Sequence, residues 1–448
     1  MAHTTWNVCS KTHSFSQSME EIMTATTDAV TAGSGGTDDA YEHHLTADEQ
    51  KWIDKKKYAW VFSIFPATIP LIIWGVAEWM KAISAPEFFV HASWFLGPVA
   101  VFILIPIGDF VLGRDGENAP EEFVPQLEET KYYRIVSYLY FPVMLASLIM
   151  CCWQWTYGGM PWYDKLGLAW SMGMTSGISI VAAHELGHKK TGFERWLAKI
   201  VLAVPAYGHF YVEHNKGHHV KVATPEDPVS SRMGENAYVY LLRSIPRQIP
   251  RAWNVEKTRL ARSKKGQFNL DNDVWNAWLI TVVLWGALLI GFGIGILPYM
   301  LVQAVIGIAL LEFVNYLEHY GLLRRKLEDG RYERCSPEHS WNSDNLTTNI
   351  FLYQLQRHSD HHANPTRRYQ SLRSDVFAPE LPAGYATMIF AAALPPVWFW
   401  IMDRRLMQFY NYDIERANLH PAKAAKLRKK WNRIAAQQPA AVTAGQES

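Results

Sequence analysis

Long apolar runs dominate the chain from residue 58 onwards and give the first expectation about its fold. A helix that crosses a hydrocarbon layer about 30 Å thick needs roughly 20 predominantly apolar residues. Six runs reach this length, at about 58–80, 88–110, 135–156, 163–184, 275–297 and 299–318. The pattern therefore predicts an all-α integral membrane protein with six transmembrane helices.

The polar segments predict which helix ends face the cytoplasm. Lysine and arginine are frequent before the first run and in the long segment 185–273, but scarce in the links after runs one, three and five. Cytoplasmic loops carry an excess of basic residues, so both termini and segment 185–273 are expected inside. Another apolar stretch, 385–402, is interrupted by Pro395 and Pro396. We expect it to be re-entrant or interfacial, because a seventh crossing would place the basic end outside.

Composition divides the chain into three predicted parts. Residues 1–48 are rich in Thr, Ser, Ala and Gly without apolar periodicity, which is typical of disorder. Residues 49–410 form the predicted membrane domain with its cytoplasmic helices and loops, and residues 411–448 form a basic cytoplasmic tail. The net charge of +1 gives no indication of nucleic-acid binding.

Histidines cluster at or just after the predicted cytoplasmic helix ends. Nine of the seventeen fall in four groups: His184 and His188; His214, His218 and His219; His319; and His358, His361 and His362. Residues three or four apart share a helix face, so each multi-histidine group should direct at least two imidazoles one way. The other eight are expected to be structural or unrelated to chemistry: His209, His339, His3, His13, His43, His44, His91 and His420.

Two kinds of metal site fit this pattern. "AHELGHKK" contains His184-Glu185-x-x-His188, the arrangement of a zinc-protease helix with Glu185 as general base. That hypothesis leaves seven grouped histidines without a role, and nine imidazoles exceed the three protein ligands of a catalytic zinc. Imidazole also suits iron, and two ions with four or five ligands each would use all nine. An intramembrane zinc protease, or a metal-transport protein that uses His184 and His188 alone, remains the alternative.

The spacings H-x-x-x-H, H-x-x-x-H-H and H-x-x-H-H resemble the histidine boxes of integral-membrane di-iron desaturases and hydroxylases. The further box "NYLEHYGL" is similar to that of alkane 1-monooxygenases and their xylene-hydroxylating relatives. The resemblance extends through "YVEHNKGHHVKVATPEDP", "SWNSDN" and "LQRHSDHHANPTRRYQSLR", from about residue 50 to 410. A fatty-acyl or sterol desaturase is a second alternative, which the additional box disfavours.

The resemblance implies a specific activity and cofactor. It implies terminal hydroxylation of an alkane by O2 at a non-haem centre of two Fe ions, with all nine histidines as metal-binding, catalytic residues. Electrons would come from rubredoxin, which rubredoxin reductase reduces, at the cytoplasmic face of a bacterial inner membrane. The chain itself lacks C-x-x-C pairs and a flavin fingerprint, which agrees with an external electron donor.

Residues around the histidines carry further expectations. Carboxylates beside metal ligands often accept their second ring N–H, which makes Glu185, Glu213, Glu318 and Asp360 candidates for that role. Alkanes partition into lipid at about 0.8 kcal/mol per methylene, so we expect a channel between spans that leads to the His184 and His319 ends. Small residues such as Gly177 would leave room for it or simply pack helices together.

A basic surface could receive an acidic electron carrier. The candidate residues all follow the fourth run: Lys189, Lys190, Arg251, Arg259, Arg262, Lys264 and Lys265. Contact with anionic lipid is the alternative role of these cations.

Overall fold

The structure is a computed structural model that describes residues 52–438, so the predicted disordered segment 1–48 lies outside the described residues. From Asp54 onwards the described chain is helical, and its only β-type pairings are isolated bridges. The helices that carry the fold and the site are α1 (Ala59–Ala82), α2 (Glu87–Ser93), α3 (Leu96–Leu112), α4 (Lys131–Tyr157), α5 (Trp162–Gly187), α6 (Gly192–Leu202), α7 (210–221), α8 (Ala237–Arg262), α9 (Asp273–Phe292), α10 (Ile294–Glu318), α11 (Leu346–Phe351), α12 (His358–Ala363), α13 (Tyr385–Ala392), α14 (Pro395–Phe409) and α15 (Ala424–Ala435).

Five of these helices, α1, α4, α5, α9 and α10, are long and apolar enough to cross a membrane. Two bent pairs raise the number to as many as seven: α2 with α3, bent by 64°, and α13 with α14, bent by 119°. The predicted all-helical membrane architecture is therefore confirmed, with five to seven candidate spans. The bend between α2 and α3 was not expected from the continuous apolar run 88–110.

Helix α5 forms the centre of the bundle. In its apolar window 89% of the residues are buried inside the protein, against 22% for the peripheral α9. Hydroxyl groups on α5 satisfy backbone groups of its neighbours, since Thr175 Oγ1 donates to the Pro66 carbonyl at 3.0 Å. Ser171 Oγ donates to the Trp94 carbonyl at 2.7 Å and accepts the Gly97 N–H at 3.1 Å. Ser171 thus supplies partners for backbone groups exposed by the bend between α2 and α3.

Helices α5 and α10 pack unusually closely, because glycines lie where they cross. A Cβ added at Gly177 would lie 2.8 Å from Leu310 Cδ2, and one added at Gly307 would lie 3.0 Å from the Gly177 nitrogen. Small residues allow helix backbones to approach in this way. His184 lies in the last turn of α5 and His319 directly follows α10, so the close packing places the two histidines at the same end of the bundle.

Two chain segments show features that the apolar pattern did not indicate. The fifth apolar run, predicted to reach residue 297, ends as α9 at Phe292, because Gly293 takes a left-handed conformation with φ +81°. In the predicted tail, Leu427 and Trp431 of α15 are buried. The Asn418 N–H also donates to the Gly321 carbonyl at 2.8 Å. As far as residue 438, this segment packs against the loop that follows α10.

Candidate metal centre

All nine grouped histidines meet at one end of the bundle, in two adjacent groups. Within each group the candidate ligand atoms lie within 4.8 Å of one another. Five residues form the first group and four the second: His184, His188, His214, His219 and His361; and His218, His319, His358 and His362. The expected convergence of four separate chain segments is therefore observed, with the division into five and four that two metal ions would require.

Two segments contribute to both groups, which the sequence analysis did not foresee. Residues 213–218 form a π-helical turn, and such turns are wider than α-helical ones. His214 and His219, five residues apart, consequently share the first group, whereas His218 enters the second. The expectation that histidines four apart point together is confirmed for His184 and His188 but wrong for His214 and His218.

Helix α12 also divides its histidines between the groups. His358 and His362, four residues apart, belong to the second group, whereas His361 belongs to the first. Adjacent positions on an α-helix point about 100° apart, which separates His361 from His362. Segments α7 and α12 therefore lie between the two candidate metal positions.

Distances between ring nitrogens fit shared metal ions. In the first group, His219 Nε2 lies 3.0 Å from His214 Nε2 and 3.1 Å from His361 Nε2. In the second, His358 Nε2 lies 3.3 Å from His319 Nε2 and 3.0 Å from His362 Nε2. Two nitrogens bound to one ion at about 2.1 Å lie roughly 3.0 to 3.4 Å apart for angles between octahedral and tetrahedral.

Several of the same nitrogens lack a protein partner. Nε2 of His184, His188 and His218 is buried and accepts or donates no hydrogen bond within residues 52–438. Burial and the neighbouring imidazoles lower the pKa of His219 and His361 well below the usual value, which favours the neutral form that binds metals. Buried polar atoms without partners are costly, so the donor set fits a pair of cations.

Two contacts on the far side of the second group orient its rings. His218 Nδ1 lies 2.9 Å from Asp227 Oδ2, and Asp227 also accepts from Arg251 Nη1 at 2.8 Å. Burial raises the pKa of Asp227, but His218 and Arg251 outweigh it and hold the pKa below the usual range. His319 Nδ1 lies 3.4 Å from the His339 carbonyl. Both contacts fix the ring so that Nε2 faces the group.

Asp227, whose carboxylate contacts the grouped His218, was missed in the sequence analysis. It lies nine residues after His218, beyond the spacings that describe one helix face, in the segment "TPEDP". A buried carboxylate between two prolines of a loop was the available signal, but the loop path that brings it back to His218 is not encoded by a local pattern.

Of the four predicted carboxylates, one contacts a grouped imidazole. Glu318 Oε2 lies 3.3 Å from His358 Nε2. The other three have cationic partners: Glu185 pairs with Lys189 at 2.9 Å, Glu213 with Arg251 at 3.2 Å and Asp360 with Arg367 at 3.0 Å. These three carboxylates are therefore held by cations, and neighbouring helix positions diverge by about 100°, so a carboxylate next to a histidine in sequence need not face the same group.

The pairing of Glu185 also weakens the zinc-protease hypothesis. Its Oε1 is 2.9 Å from Lys189 Nζ and accepts the Tyr369 N–H at 3.3 Å. A general base needs to reach a water at the metal, whereas this carboxylate is held by a buried lysine. His184 and His188 moreover share their group with three further histidines.

An apolar cavity leads towards the first group. Its walls come from α3, α5, α10, α11 and α13, and include Val101, Ile105, Gly177, Ile178, Val181, Leu310, Leu311, Val314, Phe351, Leu352, Ala386 and Ile389. A second, smaller cavity shares Val181 and Leu352 with it and reaches His184, His361 and Tyr353. The two cavities therefore lie next to each other, and the smaller one borders the first histidine group.

Part of the predicted basic docking surface is internal. The side chain of Lys189 is 3% exposed and that of Arg251 is 18% exposed, and both pair with buried carboxylates. These two residues are corrected from surface cations to structural ones. Lys190, Arg262 and Lys264 are exposed, as expected. Arg259 in the last turn of α8 pairs with the buried Glu256, and Lys265, in the segment after α8, pairs with the exposed Asp271.

The ungrouped histidines that the structure describes stay outside both groups. His339 caps a short turn through Nδ1, which accepts the Ser336 N–H at 3.0 Å. His209 is buried against Tyr207, and His91 pairs with Asp164 at 2.9 Å. His3, His13, His43 and His44 lie outside the described residues.

Comparisons with known proteins agree with this geometry. A fatty acid desaturase family model matches residues 160–392, which contain all nine grouped histidines. The chain is 44% identical to alkane 1-monooxygenase 1 of Alcanivorax borkumensis over 84% of this chain and 91% of the relative. It is 44% identical to alkane 1-monooxygenase of Pseudomonas putida over 85% and 93%, and 42% identical to that of Ectopseudomonas oleovorans over 87% and 95%. On this similarity and the nine converging histidines, the chain belongs to the alkane 1-monooxygenase family of membrane enzymes.

Proposed function

We propose that this protein hydroxylates the terminal methyl group of alkanes. In the proposed reaction, the alkane, O2, two electrons and two protons give a 1-alkanol and water. One observation carries the proposal: an apolar cavity shares Val181 and Leu352 with a smaller cavity that borders His184 and His361 of the first histidine group, which lies beside the second. Alkane 1-monooxygenase is also the name of the related proteins described above.

Two irons are the proposed cofactor. The first would be held by His184, His188, His214, His219 and His361, and the second by His218, His319, His358 and His362. When bound, the pair supplies the O2-activating redox chemistry that an unactivated C–H bond requires and that side chains lack. Asp227 and the His339 carbonyl would hold two of the ligating rings in the required tautomer.

The cavity would bind the alkane chain and direct its end towards the metals. Ile178, Val181 and Leu311 provide an apolar wall that offers no hydrogen bonds, so affinity would come from burial of methylenes at about 0.8 kcal/mol each. Tyr353 and Leu355 line the smaller cavity beside His184 and His361, where they would leave a narrow passage. A narrow passage would admit a methyl end in preference to the middle of a chain and would limit the entry of water.

The membrane setting and the electron donor are part of the same proposal. We place six spans in a bacterial inner membrane, counting α2 with α3 as one bent span and α13 with α14 as a re-entrant element. The metal centre would face the cytoplasm, where the basic segment 185–273 lies. There it would receive two electrons from rubredoxin, which rubredoxin reductase would reduce again.

A fatty-acyl desaturase is the second candidate, because the matching family model bears that name. The two candidates differ in product: a desaturase removes two hydrogens and leaves an alkene, whereas a hydroxylase inserts an oxygen atom. The third hypothesis, an intramembrane zinc protease, is disfavoured by the ion pair of Glu185 with Lys189.

Labelled oxygen distinguishes these functions. Iron-loaded membranes would be incubated with octane, 18O2, rubredoxin, rubredoxin reductase and NADH. We expect 1-octanol that carries one 18O atom, detected by gas chromatography and mass spectrometry. Octene as the product, or an alcohol whose oxygen comes from water, would overturn the proposal. Membranes with the same amount of metal-depleted protein provide the control.

A further inference from the structure

A cluster of four arginines lines a surface pocket next to the second histidine group. The pocket is formed by Pro225, Glu226, Asp227, Pro228, Arg232, Arg243, Arg247 and Arg251. Arg243 pairs with Glu235 at 2.7 Å, and Arg251 pairs with Asp227 at 2.8 Å. Within residues 52–438 the side chains of Arg232 and Arg247 form no ion pair with a carboxylate, although Glu235 is close enough to Arg232 to act on it electrostatically. Glu226, at the rim, pairs with Lys221 instead.

The unpaired charges make the pocket an anion-binding surface. Arg232 and Arg247 add two positive charges beside the Arg243–Glu235 pair, and burial together with Arg243 and Arg247 lowers the pKa of Arg232 although Glu235 acts in the opposite direction. Mutual repulsion of this kind is relieved by an incoming carboxylate or phosphate. Arginine binds carboxylates with two parallel hydrogen bonds, which favours a protein or ligand with acidic groups.

A short hydrogen-bonded path joins the pocket to the candidate metal centre. Arg251 donates to Asp227 at 2.8 Å and to the Gly217 carbonyl, next to His218, at 2.8 Å. Asp227 contacts His218 Nδ1 at 2.9 Å. A partner seated in the pocket is therefore separated from a ligating imidazole by two side chains.

The geometry of α8 favours a soluble partner over a lipid headgroup. Large apolar side chains are exposed on this helix at Tyr238, Leu242 and Ile249, of which Leu242 is 80% exposed, and also at Val239. Arg243 and Arg247, four residues apart, lie more than 90° around the helix from Tyr238, Leu242 and Ile249, with Val239 in between. An interfacial helix turns its apolar stripe to the lipid, so the arginines face the aqueous side.

We propose that this arginine pocket is the docking site of an acidic one-electron carrier protein, which delivers electrons next to His218. The inference rests on the proposed function and replaces the basic residues near Arg262 and Lys264 as the docking site. It predicts that Arg232 and Arg247 control the affinity for the carrier, whereas the exposed Arg262 on the same helix does not. Attraction between the two charged surfaces also predicts tighter binding at low ionic strength.

Charge reversal tests the site with rubredoxin as the probe. The affinity of rubredoxin for full-length protein in nanodiscs would be measured without turnover, with Arg247→Glu, Arg232→Glu and the matched control Arg262→Glu. We expect at least a tenfold weaker affinity for the first two variants and less than a twofold change for the control. The metal content of each variant is measured as well, and a wild-type value excludes misfolding as the cause of weaker binding. An unchanged affinity for Arg247→Glu, or an equal loss for Arg262→Glu, would overturn the proposal.

A crosslinking experiment locates the contact between rubredoxin and the pocket directly. Carbodiimide joins lysines, but not arginines, to carboxylates, so Arg247→Lys should form a new crosslink to rubredoxin that mass spectrometry maps to position 247. Arg262→Lys should form none. If the effect of Arg247→Glu appears only in nanodiscs of anionic lipid, the pocket binds headgroups and the proposal fails. Because binding is measured without alkane, its outcome is independent of whether octane is oxidised.

Discussion

Asp227→Asn tests how the chain holds the second histidine group. The substitution preserves the shape of the side chain but removes the charge that faces His218 Nδ1 at 2.9 Å and Arg251 Nη1 at 2.8 Å. Loss of a carboxylate behind a ligating histidine typically weakens metal binding 10- to 100-fold. This corresponds to about 1.4 to 2.7 kcal/mol. Because the contact belongs to one group only, we expect one of two irons to be affected.

The assay is a chelator titration of iron-loaded protein, with bound iron measured by mass spectrometry. The Asp227→Asn variant should lose one iron per chain at a chelator concentration at least tenfold lower than wild type, while the other iron remains. Glu226→Gln is the matched control, since this neighbouring carboxylate is exposed and pairs with Lys221. Equal titration curves for Asp227→Asn and wild type would refute the argument that Asp227 supports a ligand.

Three further predictions concern the helix crossing, the cavity and the motif that resembles a zinc-protease helix. Gly177→Ala should destabilise the protein by about 1–3 kcal/mol, because the new Cβ would lie 2.8 Å from Leu310 Cδ2, and thermal unfolding in detergent would show this. Ala386→Phe, which fills the cavity, should shorten the longest alkane that is oxidised; an unchanged chain-length profile would remove the cavity from the account. Glu185→Gln should lower the melting temperature, since Lys189 loses its buried partner, yet leave iron per folded chain at the wild-type value.

The parts of the structure that follow from local patterns were predictable from the sequence. Apolar runs of about 20 residues placed α1, α4, α5 and α10 within a few residues of their observed limits, because burial in lipid selects length and composition together. His184 and His188 were correctly predicted to point to the same side of their helix, since they lie one α-helical turn apart, and they belong to the same group.

The remaining features depend on long-range packing and were not visible in a local pattern. The bend between Ser93 and Leu96 relies on Ser171, which lies more than 70 residues further along the chain. The π-helical turn that separates His214 from His218 has no reliable sequence signal. The burial of Lys189 against Glu185 also depends on a distant loop. The Arg367 carbonyl in that loop accepts a hydrogen bond from Lys189 Nζ at 2.7 Å.

The central claim is that two histidine groups bind two irons. The most direct test is the iron content per chain of purified wild type and of two variants from the same π-helical turn, His214→Ala in the first group and His218→Ala in the second. We predict two irons in the wild type and one in each variant, with different Mössbauer spectra for the iron that remains. A single metal ion per chain in the wild type, or zinc that iron cannot replace, would contradict the account.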